Sequence, residues 1–363
     1  MERFIEDIEQ NPDDADAAIR AYTVVHAATC QRSSQYLLAG QSGRQPELFE
    51  NAIVDEAGRA SPLDLLIPLV QARKRVILVG DHRQLPAVYD EKISRGLPQS
   101  ELLEQSLFER LFQQLQAVGN RTGVNRTITL DQQFRMHPRL GDFVSRVFYE
   151  PYGEEISSGR PPEEFNHEFP GFEGRTAAWV DVPREAGPPI RSPGKSWSRS
   201  AEADRVVEIV REFVTQCPTR SVGVISFYSG QRDLIMEQLL GDLTQVDARG
   251  NFSIHPDFRD FRAEDGSIKE RLRIGSVDAF QGKEFDAVIL SMVRSDSPSA
   301  SRKPGDVFGF LTVENRFCVA LSRQKRLLVV VGDRSMADLP QAASIRGLRE
   351  LRDLCAEEEM TGG

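Results

Sequence analysis

Carboxylate side chains follow two short apolar runs in the first quarter of the chain. Asp55 and Glu56 come directly after a run that ends in Val54, and Asp81 follows a second run over residues 76–79 and one glycine. An adjacent Asp–Glu pair suits nucleotide hydrolysis, because one carboxylate can hold Mg²⁺ while the other orients and polarises the attacking water. Acidic residues at such places can also cap the helices that follow, so the pair alone leaves both interpretations open.

These carboxylates need a sheet to bring them together. Short Val/Ile/Leu runs alternate along the chain with segments of helical period, which is typical of parallel sheets covered by helices on both faces. The predicted strands cover residues 52–54, 75–79, 177–182, 222–226, 273–277, 286–292 and 326–331. Ligands bind beyond the carboxyl ends of the strands in open sheets of this kind, so we expect Asp55, Glu56 and Asp81 to face one crevice.

Length and composition limit the class of protein. The chain has 363 residues, of which 40% are hydrophobic and 28% charged, and this size favours two α/β domains. Its apolar runs are too short for a membrane span, and its four cysteines form no CxxC pair. With no recognisable signal peptide, we expect an intracellular, reducing compartment. The formal net charge of -10 lacks the basic excess usual for nucleic-acid binding but allows a local basic groove.

Composition also divides the chain. Prolines and glycines concentrate in residues 151–195, which we interpret as an irregular connection. Residues 241–271 and 295–308 are polar and are predicted to be surface insertions. The predicted parts are a first domain over residues 1–150, the connection, a second domain over residues 176–335 and a C-terminal tail over residues 336–363.

Six short motifs occur in order along the chain. They are VDEA (54–57), GDHRQLPAV (80–88), LDQQFRMHP (130–138), VGVISFYSGQR (222–232), GSVDAFQGKEFDAVILS (275–291) and VALSRQK (319–325). Together they resemble the superfamily 1 helicases, most closely the branch that contains the nonsense-mediated-decay helicase. The resemblance covers about residues 23–335. It implies two RecA-like P-loop NTPase domains with parallel sheets, ATP and Mg²⁺ as cofactors, and hydrolysis coupled to movement along single-stranded DNA or RNA.

The resemblance assigns catalytic roles to five matching residues. Asp55 would hold Mg²⁺, and Glu56 would be the base that activates water. Gln84 would sense the γ-phosphate. Arg135 and Arg323 would be arginine fingers, whose planar guanidinium groups spread the charge that develops on the transferring phosphoryl. Without the motifs, these two arginines would more often be surface ion-pair partners.

Three further residues match motifs that contact the nucleotide. Phe134 lies where the family often stacks an aromatic ring on adenine. Gly282 and Glu284 match the motif that closes over the nucleotide, where glycine permits a close approach of the backbone. The alternative for Phe134 is an ordinary core aromatic.

The resemblance also implies contacts with nucleic acid. Thr29 in the segment VVHAATC, Tyr228 and Ser276 match positions that face the single strand in the family. Taken alone, Tyr228 would more often be a core aromatic. Whether the strand is DNA or RNA stays open, because recognition of the 2′-OH depends on local geometry that no motif here fixes.

The sequence departs from the family pattern in several places, among them Gly58 and the phosphate-binding loop. Gly58 follows DEA where alanine or serine is commoner. The phosphate-binding loop GxxxxGK[ST], which should precede Asp55 by well over a hundred residues, does not occur in the sequence, and only 54 residues precede Asp55. The GKS at residues 194–196 lacks the first glycine at the required spacing. We therefore expect an incomplete first domain and an isolated chain that does not hydrolyse ATP.

Three interpretations compete at this point. The preferred one is the C-terminal portion of an ATP-dependent DNA or RNA helicase, with the phosphate-binding loop encoded upstream or on another chain. The others are a nucleic-acid-binding pseudo-helicase without turnover and an interaction module that kept only the fold. The polar residues expected at the cleft count for the first, because a chain without activity has little reason to keep them.

Overall fold

The computed structural model describes residues 23–38, 48–86, 106–191, 196–263, 266–297 and 301–361. Within these ranges the chain forms two compact units. Unit 1 contains residues 23–81 and 106–114, and unit 2 contains His82–Pro86 and residues 115–361. None of the helices in these ranges combines the length and apolar character that a membrane crossing requires.

Unit 1 is built on a pair of parallel strands. Its elements are α1 (Cys30–Leu38), β1 (Phe49–Val54), α2 (Pro62–Leu69), β2 (Ala72–Leu78) and the first half of α3 (Leu107–Thr122). The helix α2 connects β1 to β2 and is capped at its N-terminus by Ser61, whose hydroxyl accepts a hydrogen bond from the Asp64 backbone N–H at 3.1 Å. In the register of the two strands, Val54 lies opposite Leu78, so both strands end at the same edge.

Unit 2 contains the larger sheet. Its elements are β3 (Gln132–Gln133), α4 (Pro138–Val144), β4 (Ser157–Ser158), β5 (Ala177–Asp181), β6 (Ile190–Arg191), β7 (Trp197–Ser198), α5 (Ser200–Gln216), β8 (Val222–Ser226), α6 (Ser229–Gln238), β9 (Thr244–Val246), β10 (Phe252–Ile254), α7 (Pro256–Arg259), β11 (Asp260–Arg262), β12 (Ile268–Glu270), β13 (Leu272–Ser276), β14 (Phe285–Ser291), α8 (Pro304–Phe308), α9 (Glu314–Ala320), β15 (Gln324–Gly332) and α10 (Leu348–Thr361).

Five strands form one parallel sheet in the order β13-β8-β14-β15-β5. Each was predicted to within two residues at both ends, and the α/β class is confirmed. The strands are continuous apolar runs because both of their faces are covered. In β14, for example, Val288 and Leu290 belong to the core on one face, while Ala287 and Ile289 belong to the core on the other.

Two segments outside the predicted second domain complete the core of unit 2. Phe143 of α4 and Phe148 of the π-helical turn after it are fully buried with the sheet residues, although we placed residues up to 150 in the first domain. The predicted tail forms α10, which packs on the edge strand β5 through Leu351 and Cys355. An edge strand whose face is apolar needs such a cover, and the spacing of the motifs gives no sign of which segment provides it.

The predicted connection and insertions contain regular structure. Residues 151–191 include β4, β5 and β6, and residues 241–271 form the short antiparallel pairs β9–β10 and β11–β12. β6 pairs with β7 as a hairpin. Gly194 and Lys195 of the GKS sequence lie outside the described residues, whereas Ser196 is described.

Candidate functional site

Asp55 and Glu56 form a tight turn directly after β1. The Glu56 backbone is left-handed, with φ 52° and ψ 34°, and its N–H donates to Asp55 Oδ1 at 2.9 Å. Both residues are exposed. A non-glycine residue in this conformation costs on the order of 1 kcal/mol or more and persists where the surroundings enforce it, which often happens at functional sites.

Two glycines bring the ends of β1 and β2 into contact. The Ala57 N–H donates to the Val79 carbonyl at 2.8 Å. A Cβ atom on Gly58 would lie 2.9 Å from the Asp81 carbonyl oxygen, and one on Gly80 would lie 2.7 Å from the Gly58 nitrogen. Glycine at position 58, where alanine or serine is commoner in the family, therefore has a packing reason. An alanine side chain there would push away the loop that contains Asp81.

The loop that carries Gln84 is held within unit 2. The Asn315 side-chain amide donates to the Gln84 carbonyl at 2.7 Å and to the His82 carbonyl at 3.3 Å. Leu85 is buried in the main core of the unit. These contacts fix the backbone on both sides of the Gln84 side chain.

An arginine adds a second attachment for the same loop. Arg83 Nε lies 3.2 Å from Glu154 Oε2, and the guanidinium carbon is 3.5 Å from the centroid of the Tyr152 ring. A cation stacked on an aromatic ring and paired with a partly buried carboxylate is worth more than an exposed pair. The loop is thus fixed to unit 2 through side chains on both sides of residue 84.

Gln84, Ser322, Arg323 and Arg135 form one hydrogen-bonded cluster. Arg323 is only 1% exposed, and its Nη2 donates to Gln84 Oε1 at 3.0 Å and to Ser322 Oγ at 2.8 Å. Arg135 Nη1 donates to the Ser322 carbonyl at 3.1 Å. Arg323 is therefore not the surface ion-pair partner of the alternative interpretation, and three residues from three separate motifs are neighbours.

Glu284 holds the second arginine in place. Its Oε2 lies 3.1 Å from Arg135 Nε, and its Oε1 lies 2.7 Å from Lys325 Nζ. Partial burial by itself would raise the pKa of Glu284, but hydrogen bonds and charge from Lys325 and Arg135 outweigh it and lower the pKa. Glu284 is thus a carboxylate that fixes the direction of Arg135.

Phe134 is available to a ligand. Its side chain is 56% exposed and lies so close over Gly159 that a Cβ atom there would be 2.2 Å from Phe134 Cε1. Phe134 is therefore not a core aromatic. Gly282 has φ 71°, a conformation that favours glycine, and follows the 3₁₀ turn Val277–Phe280.

Tyr228 and Ser276 line a groove on unit 2 with a volume of about 930 Å³. Tyr228 is buried, and burial raises the pKa of its hydroxyl. Its ring lies 5.4 Å from that of Phe310, and a Cβ on Gly309 would be 2.1 Å from Tyr228 Oη. Tyr228 therefore forms the wall of the groove beneath Phe310 and presents little surface of its own.

Thr29 lies in unit 1, just before α1. It is exposed, and its Oγ1 accepts a hydrogen bond from the Arg32 N–H at 3.2 Å. This contact caps the first turn of α1. The role of Thr29 towards nucleic acid stays a prediction.

Sequence reasoning missed most of the groove. Besides the two predicted residues, the groove is lined by Arg191, Ser196, Trp197, Phe227, Ser229, Arg294, Arg302, Gly305, Asp306, Gly309, Phe310, Thr312 and Val313. Several of these are aromatic or basic: Arg191 lies in the predicted connection and Arg302 in a predicted insertion, Arg294 follows β14, and Trp197 and Phe310 lie just after the connection and the insertion. The sequence feature that could have indicated this groove was the mixture of aromatic and arginine residues in these segments. The segments meet only in the folded chain, so their sequences do not show that they form one groove.

A buried carboxylate, that of Glu202, stabilises a backbone turn at the edge of this groove. Glu202 in the first turn of α5 is fully buried, and its Oε1 accepts hydrogen bonds from Ser291 Oγ and the Val293 N–H, both at 2.7 Å. Val293 has φ 67°, which a β-branched residue rarely adopts. Glu202 therefore stabilises an unfavourable turn directly before Arg294, a residue of the groove. Arg199 Nη1 lies 3.6 Å from its Oε2.

Glu202 should make stability depend on pH. Burial raises its pKa from 4.5 to about 7, against the opposing effect of the Ser291 and Val293 hydrogen bonds. The pKa of Glu202 is higher in the folded state than in the unfolded state. The contribution of Glu202 to the free energy of unfolding is therefore complete below about pH 4.5 and is lost as the pH rises through about 7. Glu202→Gln keeps an acceptor and does not titrate. Between about pH 5 and pH 8 we expect the wild type to lose on the order of 3 kcal/mol of unfolding free energy relative to this variant. Urea denaturation at each pH measures the difference, and a difference independent of pH would contradict the prediction.

Comparison with known proteins decides the family. Residues 103–335 match the model of an AAA domain, and residues 3–92 match a second AAA domain model. The chain belongs to the AAA-domain family of superfamily 1 helicases. This membership confirms the RecA-like interpretation of the parallel sheet.

The similar curated proteins are helicases of the nonsense-mediated-decay branch and its relatives. The chain is 33% identical to a Neurospora crassa protein, Regulator of nonsense transcripts 1 homolog, over 78% of this chain and 22% of that protein. It is 33% identical to the ATP-dependent helicase NAM7 of Saccharomyces cerevisiae, over 80% of this chain and 26% of NAM7. Helicase sen1 of Schizosaccharomyces pombe is 30% identical, over 88% of this chain and 16% of sen1. The chain thus spans about a quarter or less of the length of these relatives.

Among solved structures, an arterivirus nonstructural protein 10 helicase in complex with DNA is similar at 16% identity. The match covers 80% of this chain and 41% of that protein, with a TM-score of 0.34. Similarity at this level identifies neither a ligand nor a site.

Proposed function

We propose that the chain is part of the motor of an ATP-dependent DNA or RNA helicase and that it works in an intracellular compartment. The observation that carries the proposal is a hydrogen-bonded cluster in which Arg323 donates to both Gln84 and Ser322 and Arg135 donates to the Ser322 carbonyl. A γ-phosphate sensor beside two guanidinium groups has the composition that phosphoryl transfer requires. The four cysteines are free thiols, which agrees with a reducing compartment.

In the proposed mechanism, unit 1 contributes Asp55 and Glu56. Mg²⁺ is held in such enzymes by one or two carboxylates together with phosphate oxygens, so an exposed Asp55 fits as one ligand. The described residues contain no group of three or more His, Cys, Asp or Glu side chains that could hold a metal by themselves. The metal would neutralise charge on the phosphates. Glu56 orients the attacking water and accepts its proton.

Unit 2 contributes the groups that respond to the γ-phosphate. The Gln84 side-chain oxygen accepts a hydrogen bond from Arg323, so each side chain orients the other. Arg323 supplies charge that stabilises the transferring phosphoryl, and Arg135, fixed by Glu284, supplies a second charge. Phe134, with its exposed ring, stacks on adenine.

We place the phosphate-binding loop outside this sequence, either encoded upstream or on another chain. The described part of unit 1 supports this, because Ile53, Val76 and Ile77 of β1 and β2 are exposed although they lie in strands. Parallel sheets normally have both faces covered. A strand and helix that carry a GxxxxGK[ST] loop would supply such a cover together with the loop.

The second candidate function is nucleic-acid binding without ATP turnover, which the missing loop favours. The groove with Tyr228 and Ser276 is the site in both cases, and single-stranded DNA or RNA is the proposed partner. The two candidates differ only after the loop is supplied: the helicase then hydrolyses ATP, whereas the pseudo-helicase does not.

The isolated chain should bind single strands and hydrolyse ATP negligibly. Backbone N–H groups and a lysine of the phosphate-binding loop provide most of the affinity for the β- and γ-phosphates, and the sequence has no such loop. Steady-state phosphate release with saturating single-stranded oligonucleotide measures turnover, and Glu56→Gln serves as the background. Release well above that background would show that the chain cradles phosphate in another way.

A further inference from the structure

Asn315 is a polar residue of unit 2 that belongs to none of the six motifs. It lies in the first turn of α9 and is half-buried. Its Nδ2 donates to the Gln84 carbonyl at 2.7 Å and to the His82 carbonyl at 3.3 Å. A carbonyl oxygen can only accept, so the two carbonyls determine which end of the Asn315 amide faces them. Asn315 therefore holds the backbone of the Gln84 loop, which we define as His82–Pro86.

The same helix also leads to the group that holds the Gln84 side chain. α9 ends at Ala320, and Arg323 follows it three residues further along the chain. Arg323 Nη2 donates to Gln84 Oε1 at 3.0 Å. Phe317 and Val319 of α9 are 1% and 0% exposed, so the helix is fixed in the core. One buried element thus holds Gln84 by its backbone before its first turn ends and by its side chain just after its last.

An aromatic ring connects the neighbour of Asn315 to the same loop. The Tyr152 hydroxyl donates to Glu314 Oε1 at 3.1 Å. On the Tyr152 ring stacks Arg83 of the Gln84 loop, with 3.5 Å between its guanidinium carbon and the ring centroid. The first two residues of α9 therefore both reach the loop, Glu314 through the ring and Asn315 directly.

We propose that Asn315 is a positioning residue for ATP hydrolysis, which aims the Gln84 side chain at the γ-phosphate by holding the Gln84 backbone. The inference rests on the proposed function, in which Gln84 senses the γ-phosphate. A glutamine side chain has several rotatable bonds, and attachment at both its backbone and its amide removes that freedom before the reaction. Groups oriented in advance stabilise the transition state without reorganisation, and a misplacement of about 1 Å can lower the rate about 10²-fold.

Limited trypsin digestion tests the attachment on the full chain without nucleotide. Trypsin cleaves the Arg83–Gln84 bond at a rate that follows the local opening of the loop. Asn315→Leu keeps the size of the side chain and removes both donors, so we expect this rate to rise about tenfold. Asn251→Leu, which replaces an exposed asparagine in the turn between β9 and β10, is the matched control and should leave the rate unchanged. Cleavage after Arg205 in α5 is the reference for opening of the whole unit.

Asn315→Asp separates positioning from a purely structural role. Aspartate in the first turn favours a helix, so α9 should stay folded, but its carboxylate oxygens face the two carbonyl oxygens of the loop. We expect this variant to be cleaved after Arg83 at least as fast as Asn315→Leu, with an unchanged temperature of thermal unfolding. Wild-type cleavage after Arg83 in the folded Asp variant would overturn the inference. An equal rise in cleavage after Arg205 would do the same, because it would show a structural role.

A double-mutant cycle then tests the link to the reaction, in the chain joined to its phosphate-binding loop. Gln84→Ala should lower kcat for ATP hydrolysis by about 10² to 10³. Asn315→Leu should lower it by about 10-fold to 100-fold, with a much smaller change in KM. Because Asn315 acts through Gln84, Asn315→Leu should lower kcat no further when Gln84 is already alanine. Asn251→Leu should keep the wild-type kcat.

The outcomes separate the positioning role from the proposed function. If the joined wild-type protein does not hydrolyse ATP, the proposed function is wrong and the inference falls with it. If the wild type hydrolyses ATP and Asn315→Leu has the same kcat, Asn315 does not position Gln84, although the function stands. The same conclusion follows if the effects of Gln84→Ala and Asn315→Leu multiply. A loss of kcat that disappears in the Gln84→Ala background supports the inference.

Discussion

Arg323→Ala should lower kcat for ATP hydrolysis by about 10³ to 10⁵, with a much smaller change in KM, once the chain is joined to its phosphate-binding loop. The reason is that an arginine finger acts mainly on charge that develops in the transition state. Arg323 is buried and already oriented by Gln84 and Ser322, so little further ordering of its side chain is needed. The measurement is steady-state phosphate release over a range of ATP concentrations.

Two controls separate catalysis from folding in this experiment. Arg323→Lys keeps the positive charge but loses the planar fork, and we expect it to recover only part of kcat. Arg205→Ala removes an exposed arginine that pairs with Glu208 on α5, and it should leave kcat unchanged. Thermal unfolding of each variant shows whether the core survives. A near-normal kcat in a folded Arg323→Ala protein would contradict the arginine-finger role.

Glu56→Gln should leave ATP binding intact and reduce turnover by about 10² to 10⁴ in the same joined protein. Glutamine keeps the size and hydrogen-bonding ability of the side chain but cannot accept a proton. The turn itself should persist, because it depends on the Glu56 backbone N–H and on the packing of Gly58 against Asp81. A fluorescent ATP analogue measures binding, and single-turnover hydrolysis measures the chemical step.

The matched control for Glu56 is Glu50 in the same strand β1. Glu50 is exposed and pairs with Lys74, so Glu50→Gln should change neither binding nor turnover. If Glu56→Gln hydrolyses ATP at the wild-type rate, another residue is the base. If it fails to bind the analogue, Glu56 acts in nucleotide binding and its assignment to the chemical step is wrong.

The strands of the larger sheet could be predicted because each is buried on both faces. The run over residues 222–225 has no polar side chain, and the bounds of the strand predicted from it, residues 222–226, agree with those of β8. The order of the motifs predicted the RecA-like fold, and the structure places the Gln84 side chain in hydrogen-bond contact with Arg323. Local sequence could not tell that Tyr228 is buried while Phe134 is exposed, since the packing of an aromatic ring depends on segments that are distant in sequence.

The extent of unit 2 and most of its groove could not be predicted for the same reason. Phe148 and Leu351 lie on either side of the second-domain motifs, and their periodicity shows only that they are buried, not against which sheet. Trp197, Arg294 and Phe310 come from three segments that look like loops. Contacts between distant segments are selected by the whole core, so composition and spacing contain little information about them.

The rate of ATP hydrolysis as a function of single-strand concentration tests the central claim most directly. It is measured on the chain joined to a segment with its GxxxxGK[ST] loop, beside the same protein carrying Glu56→Gln. The account predicts a rate that rises with added single strands to a plateau, and a variant that stays at background throughout. A rate that does not respond to single strands, or that equals the Glu56→Gln background at every concentration, would contradict the helicase motor proposed here.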